Sequence, residues 1–409
     1  MAHNVYDTLM ERGFIAQTTS EDELREILAG RPITFYIGFD STAASLHAGS
    51  LVPIMAMMHL QRAGHRPIVV VGGGTTMVGD PSGKTEMRQI LSEEEIRANG
   101  ARIHQQIDRY LGFSRGEAIA LDNADWLLDL EYIPFLRDIG VHFSVNRMLA
   151  AEAYQQRLER GLSFIEFNYQ LLQAYDYLTL FREYNCTVQM GGDDQWGNIL
   201  AGVDLIRRVE GVTVHAMTFP LLATAAGAKM GKSAEGAVWL DENLLSPYEF
   251  YQYWINCDDG DVETFLKQFT FLTMDEVERL ASLEGAEIRS AKQVLAYEAT
   301  RITHGREAAD EAQAAAEALF GPGGELEGVP TTEIAALDLD EGISLPAILV
   351  DVGLTRSRGE ARRLIEQGGV YVNDERISDV DHVIDGGDIT SEGILLRVGK
   401  KRYHRLWAR

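Results

Sequence analysis

Tyr169, Gln173 and Asp176 stand at i, i+4 and i+7 in a stretch of helical periodicity, so their side chains leave one helix face within about 60° of arc. A solvated face normally carries Lys and Glu. This one carries a phenol, an amide and a carboxylate flanked by Phe164, Phe167, Leu171, Leu172 and Tyr175, which suits polar groups lining an apolar pocket, with a plain surface stripe as the alternative. The loop GFDST (38–42) leads into LHAGS (46–50) and a helical pattern, so Thr42 and His47 add side-chain donors to a helix N-terminus suited to phosphate. Its plainer alternative is a Ser50 cap with His47 at the surface.

Three further segments have the same double character. GGGTTMVGDPSGKT (72–85) fits neither the dinucleotide fingerprint, which needs Gly in place of Met77, nor the phosphate-cradling loop, which needs Gly in place of Val78. Its glycines still let a ligand approach the backbone, and Asp80 among them suits an ammonium group, unless Asp-Pro-Ser-Gly is merely a turn. QMGGDDQWGN (189–198) sets Gly191, Gly192, Asp194 and Gln195 at a strand-to-helix junction, where Asp194 either caps the helix or accepts from ribose hydroxyls. KMGKS (229–233) offers Lys229 and Lys232 after a small-residue loop, as a polyphosphate partner or as ordinary solvated lysines.

Such groups need elements whose ends meet. Apolar runs at 33–38, 68–71, 187–190 and 212–219 read as strands, alternating with helical patterns such as 164–182 and 194–209. Alternation of that kind predicts an α/β fold with a Rossmann-like parallel sheet, whose ligands gather beyond the carboxyl ends of the strands. After about residue 240 the pattern is helical, GPGGELEGVP (321–330) has linker composition, and a last unit begins near residue 343.

The 409 residues are 45% hydrophobic and 24% charged, enough for two or three globular domains and against a mainly disordered chain. The net charge of −25 repels a polyanion overall, so any nucleic-acid contact must be a local patch. Residues 342–409 hold 11 Lys/Arg against 10 Asp/Glu, a net of +1, which leaves −26 on the rest. Cys186 and Cys257 cannot build a disulfide framework or a four-ligand zinc site, and no apolar run reaches membrane-spanning length. A cytoplasmic protein with no membrane partner is expected.

Taken in order, YIGFD (36–40), HAGS (47–50), VGDPSGK (78–84), YQLLQAYD (169–176), GGDDQWGN (191–198) and KMGKS (229–233) closely resemble the motifs of the bacterial-type tyrosyl-tRNA synthetases, which are class I aminoacyl-tRNA synthetases. The resemblance spans essentially the whole chain. It implies a catalytic domain at 1–239 with a dimer-contact insertion, a helical anticodon-binding-type domain at 240–320, a linker at 321–342 and an S4-like RNA-binding domain at 343–409. It implies tyrosine activation by ATP, accompanied by Mg2+, followed by transfer to tRNA(Tyr), with no tightly bound cofactor and no metal ligands from the protein. Tyr36 and Asp176 would receive the phenolic hydroxyl of tyrosine, Asp80, Tyr169 and Gln173 its ammonium, and Gln195 would lie near the reacting carboxylate. Asp40, Gly49, Ser50, Gly192 and Asp194 would lie near the nucleotide. Thr42, His47, Lys84, Arg88, Lys229 and Lys232 would surround the phosphates.

Ser50 stands where the family often has a second histidine, which leaves the ribose-side contact open, and Gly231 stands where it has a serine, though both lysines of that motif are kept. The last unit would bind tRNA through Arg356, Arg358, Arg362, Arg363, Lys400 and Lys401, with a hairpin turning near Asn373-Asp374. The family is homodimeric, and the apolar stretch 132–149 is the candidate contact surface. A tryptophan-specific relative and an RNA-binding protein on a synthetase scaffold are the alternatives; Tyr36 with Asp176 disfavours the first, and His47 with the lysines disfavours the second.

Overall fold

The computed structural model describes residues 4–82, 91–150, 161–222, 236–320, 330–335, 342–373, 375–390, 393–399 and 402–408, with single positions or pairs at 154, 155, 158, 225, 232, 233 and 339. The chain forms two compact units, Met1–Arg306 and Glu307–Arg409. The helical stretch after residue 240 lies, as far as Arg306, inside the first of them.

The first unit is built on six strands: β1 (Gln17–Thr18), β2 (Thr34–Asp40), β3 (Arg66–Gly72), β4 (Ile119–Asp122), β5 (Cys186–Gly192) and β6 (His215–Phe219). Their spatial order is β1-β6-β5-β2-β3-β4. All neighbours from β6 to β4 run parallel, and β1 closes the edge antiparallel to β6. The chain therefore builds outward from β2 in one direction and from β5 in the other, so a crevice opens between the carboxyl ends of those two strands. Continuous apolar runs such as PIVVV in β3 follow from burial on both faces, since helices cover a parallel sheet from each side.

Four strands are legible in the sequence. β4 and β1 are not, because β4 is a four-residue edge strand, only half-buried along its length, and β1 has two residues. The helix expected over 164–182 is interrupted at Asn168, giving Phe164–Phe167 and Tyr169–Tyr184. The second of these ends at Asn185, whose φ of 51° is the left-handed stop that an Asn side chain tolerates.

The helices after residue 240 pack around Trp254, whose ring lies against Phe250, Phe265 and Phe269. Arg12 joins them to the chain's first helix, donating to the carbonyls of Lys267 (2.9 Å), Thr270 (3.0 Å) and Leu272. In the second unit two helices, Leu345–Asp351 and Arg358–Glu366, cover one face of a five-stranded sheet. The hairpin of Val370–Val372 with Glu375–Ile377 turns where expected, and Asn373 takes the positive φ (48°) that the turn demands.

Candidate active site

A cleft of about 500 Å³ opens at the carboxyl ends of β2 and β5. Tyr36 and Asp40 line it from β2, and Thr42, His47, Gly49 and Ser50 from the loop that follows. The helix Tyr169–Tyr184 contributes Tyr169, Gln173 and Asp176 from one face, as its spacing predicts. Asp80 comes from the turn after the helix Gly73–Val78, and Gly192, Asp194 and Gln195 from the end of β5. Segments separated by more than 150 residues thus meet in one place.

The floor of the cleft is polar and buried. Asp176 is buried, and its two oxygens accept from Asn123 Nδ2 (3.0 Å) and Trp126 Nε1 (2.8 Å). Burial pushes its carboxyl up to about 8, even though both of those bonds favour the ionised form. Tyr36 is buried too, and burial with the Asp176 carboxyl nearby holds its phenol well above the ordinary tyrosine value. Among the described residues Tyr36 Oη, Gln173 Oε1 and Gln189 Oε1 have no hydrogen-bond partner, although each is shielded from solvent. Orphaned polar atoms at the base of a pocket are what a polar ligand would satisfy.

Two further carboxylates are held in defined orientations. Asp40 accepts from Thr75 Oγ1 (2.8 Å) and Tyr169 Oη (3.0 Å). Asp80 accepts from the Ser82 amide (2.9 Å) and Gln195 Nε2 (2.7 Å), and burial, with Asp40 adding like charge, raises its carboxyl above the usual range. Asn198 donates to Gln195 Oε1 (3.1 Å), which fixes the amide's orientation.

His47 caps a short turn. Its Nδ1 accepts from the Gly49 amide (3.1 Å), so a neutral ring carries its hydrogen on Nε2. Ser50 Oγ accepts from the His47 amide (3.5 Å), completing a capping box, so the residue that departs from the family motif serves the loop itself. The loop is also tied to the chain beyond KMGKS: the Ala48 amide donates to Val238 O (2.8 Å) and the Leu240 amide to Leu46 O (2.9 Å). Lys84, Arg88 and Lys229 lie outside the described residues; Lys232 begins the short strand Lys232–Ser233, and its side chain is not among those described. In the second unit Arg356, Arg358, Arg362 and Arg363 are all exposed, with Ala361 and Ile365 turned into the core, while Lys400 and Lys401 lie outside the described residues.

Comparison with known proteins decides the family. Residues 28–321 match the family described as tRNA synthetases class I (W and Y), and residues 324–406 match the tyrosine–tRNA ligase SYY-like C-terminal domain. The chain is 55% identical over 406 residues to a tyrosine–tRNA ligase of Clostridium tetani, covering 99% of each. The chain belongs to the bacterial tyrosyl-tRNA synthetase family. A second tyrosyl member, from Acetivibrio thermocellus, is also 55% identical, over 403 residues, covering 98% of this chain and 99% of its own. The C-terminally truncated mitochondrial tyrosyl-tRNA synthetase of Aspergillus nidulans superposes with a TM-score of 0.70 at 30% identity, covering 78% of this chain and 94% of the other.

As a tyrosyl-tRNA synthetase family member the chain has residues supporting the cleft that its own motifs do not announce. Asn123 and Trp126 hold Asp176, and Asn123 also donates to Thr75 Oγ1 (2.9 Å) while its Oδ1 accepts the Gly74 amide (2.8 Å). They follow β4, the strand hidden in the sequence. Had ALD at 120–122 been read as a strand, the rule that ligands gather at strand carboxyl ends would have pointed to Asn123 directly.

Proposed function

We propose that this cleft is where L-tyrosine is joined to ATP, with Tyr36 and Asp176 holding the phenolic hydroxyl. The overall activity is that of a tyrosine–tRNA ligase: tyrosine and ATP give tyrosyl-adenylate and pyrophosphate, and the tyrosyl group then passes to tRNA. The observation that carries the residue assignment is the buried pair of Tyr36 Oη, without a partner among the described residues, beside a carboxyl held in place by Asn123 and Trp126. A phenol entering there satisfies Tyr36, whereas phenylalanine leaves it unsatisfied, at a cost of about 1–3 kcal/mol per buried group.

Asp80, Tyr169 and Gln173 take the ammonium end, and Gln195, oriented by Asn198, stands near the reacting carboxylate. Asp40, Gly49, Ser50, Gly192 and Asp194 line the adenosine side. A carboxylate oxygen of tyrosine attacks the α-phosphorus in line, a new O–P bond forms, and the bond to the β-phosphate oxygen breaks. That nucleophile is already ionised at neutral pH, so the acceleration comes from positioning and from stabilising charge on the departing pyrophosphate. Thr42 and His47 Nε2–H supply donors at that point, with Lys84, Arg88, Lys229 and Lys232 as the cationic partners. Mg2+ accompanies ATP on its phosphate oxygens and water. In the second step a ribose hydroxyl at the tRNA 3′ end attacks the tyrosyl carbonyl and AMP leaves.

Arg356, Arg358, Arg362, Arg363, Lys400 and Lys401 form the RNA-facing patch of an S4-like unit over 343–409, following a catalytic domain to 239, a helical domain to 320 and a linker to 342. The assembly is a homodimer acting in the cytoplasm. Its contact surface is supported by the exposed apolar side chains of Ile133, Val141, Val145 and Phe164 on one insertion of the sheet domain. ATP–pyrophosphate exchange tests the assignment. Tyrosine supports exchange, tryptophan and phenylalanine do not; exchange driven by tryptophan, or none with tyrosine, overturns it.

A further inference from the structure

The loop that carries Thr42 and His47 is gripped by a helix that lends the cleft wall only Ile103. That helix, Glu93–Leu111, starts with a capping box at Ser92 and presents Asn99 and Gln106 two turns apart, on the same face. Asn99 Nδ2 donates to Ser41 O (3.1 Å), the carbonyl next to Thr42. Gln106 is buried, and its Oε1 accepts the amide of Leu46 (3.0 Å), the residue before His47, with Ser45 Oγ at 3.2 Å from the same oxygen. Between the two, Gly100 lets the helix close on the loop: a Cβ there would sit 3.0 Å from Val71 Cγ1 and 3.1 Å from Ser41 Oγ. The far side of the loop is fixed as well, since the Ser41 amide donates to Thr76 Oγ1 (2.8 Å).

We infer that Asn99 and Gln106 are positioning residues for adenylate formation: they clamp the two ends of the 41–47 loop so that Thr42 and His47 face the leaving phosphates in a fixed geometry. The inference rests on the phosphate role proposed for that loop. Its physical basis is that a main-chain hydrogen bond to a buried side chain defines the loop's position, and small displacements of a charge-stabilising donor are costly. Neither Asn99 nor Gln106 lines the cleft; each acts through the loop residue it binds.

The test is a double-mutant cycle in the full-length protein. Gln106→Met keeps the side-chain volume but removes the acceptor for Leu46 N–H. Alone it is expected to lower kcat/KM for ATP in pyrophosphate exchange about tenfold, leaving tyrosine affinity in equilibrium dialysis unchanged. In a His47→Ala background the same change is expected to cost less than about threefold, because its effect passes through the imidazole. Gln106→Glu, which retains an acceptor oxygen, restores most of the ATP-side activity lost in Gln106→Met. Asn99→Ala, at a half-buried site, is the counterpart for a chain that folds without strain, and is expected to be non-additive with Thr42→Ala in the same way. Additive losses in both cycles, or equal losses on the tyrosine and ATP sides, overturn the inference. If His47→Ala itself leaves ATP kinetics intact, the phosphate role of the loop fails instead, a separate outcome.

Discussion

Asp176 is the residue proposed to take the phenolic hydroxyl, and its environment has a measurable signature. Its carboxyl is raised by burial to about 8, against 3.8 for an exposed aspartate. Below the lower value both folded and unfolded chains hold the proton, and pH has no leverage. Between the two the unfolded chain ionises while the folded one does not, so native stability falls as pH rises, and above about 8 the penalty is level. Asp176→Asn removes that titration. Its melting temperature is expected to exceed the parent's by a margin that widens from pH 5 to pH 8 and then stays constant; a constant margin throughout would contradict a raised carboxyl.

Tyr36→Phe separates stability from function. Tyr36 Oη has no hydrogen-bond partner among the described residues, so its removal should leave the denaturation midpoint unchanged or slightly higher. Preference for tyrosine over phenylalanine in exchange should nevertheless fall about tenfold, and an undiminished preference would move the phenol site elsewhere. Tyr169, Gln173 and Asp176 were legible because a helical spacing displayed them on one face. Asn123 and Trp126 were not, because their importance depends on Asp176, which is 53 and 50 residues away in the chain.

Among the elements, the short helix Gly73–Val78 shows most clearly how close packing makes the cleft. A Cβ on Gly73 would lie 2.2 Å from Asp122 Oδ1, the oxygen that accepts the Gly73 amide at 3.1 Å and the Ala124 amide at 2.9 Å. Gly73→Ala should therefore destabilise the first unit by roughly 1–3 kcal/mol in urea denaturation. Gly38→Ala is the contrast, since a Cβ there meets nothing nearer than Val70 O at 4.0 Å, and it should be close to neutral for stability. The GGG run drew attention in the sequence because two nucleotide motifs almost fit it. Its real purpose, letting a helix N-terminus sit against the Asp122 carboxylate, needs a strand that a four-residue half-buried segment does not reveal. β2 and β3 were readable for the opposite reason: long apolar runs are what double-sided burial selects.

For the whole molecule, charge sets the division of labour. A chain of −25 can hold tRNA only where cations are concentrated, and the last 68 residues, at net +1, are where the exposed Arg358 and Arg362 stand one helical turn apart. Replacing both with Ala should weaken tRNA binding and lower the slope of log affinity against log salt by about 2, while exchange without tRNA is unchanged. Equal damage to both activities would place these arginines in a structural role. The helical character of the chain after residue 240 was readable from periodicity, whereas its joining to the sheet domain was not, because it runs through Arg12 and three carbonyls more than 250 residues away. One cleft with a phenol end and a phosphate end is the claim beneath all of these. A crystal structure with a non-hydrolysable tyrosyl-adenylate analogue tests it most directly. The phenolic oxygen is expected within about 3 Å of both Tyr36 Oη and an Asp176 oxygen, with the phosphate mimic beside His47; an analogue bound in the reverse direction, or outside this cleft, would contradict it.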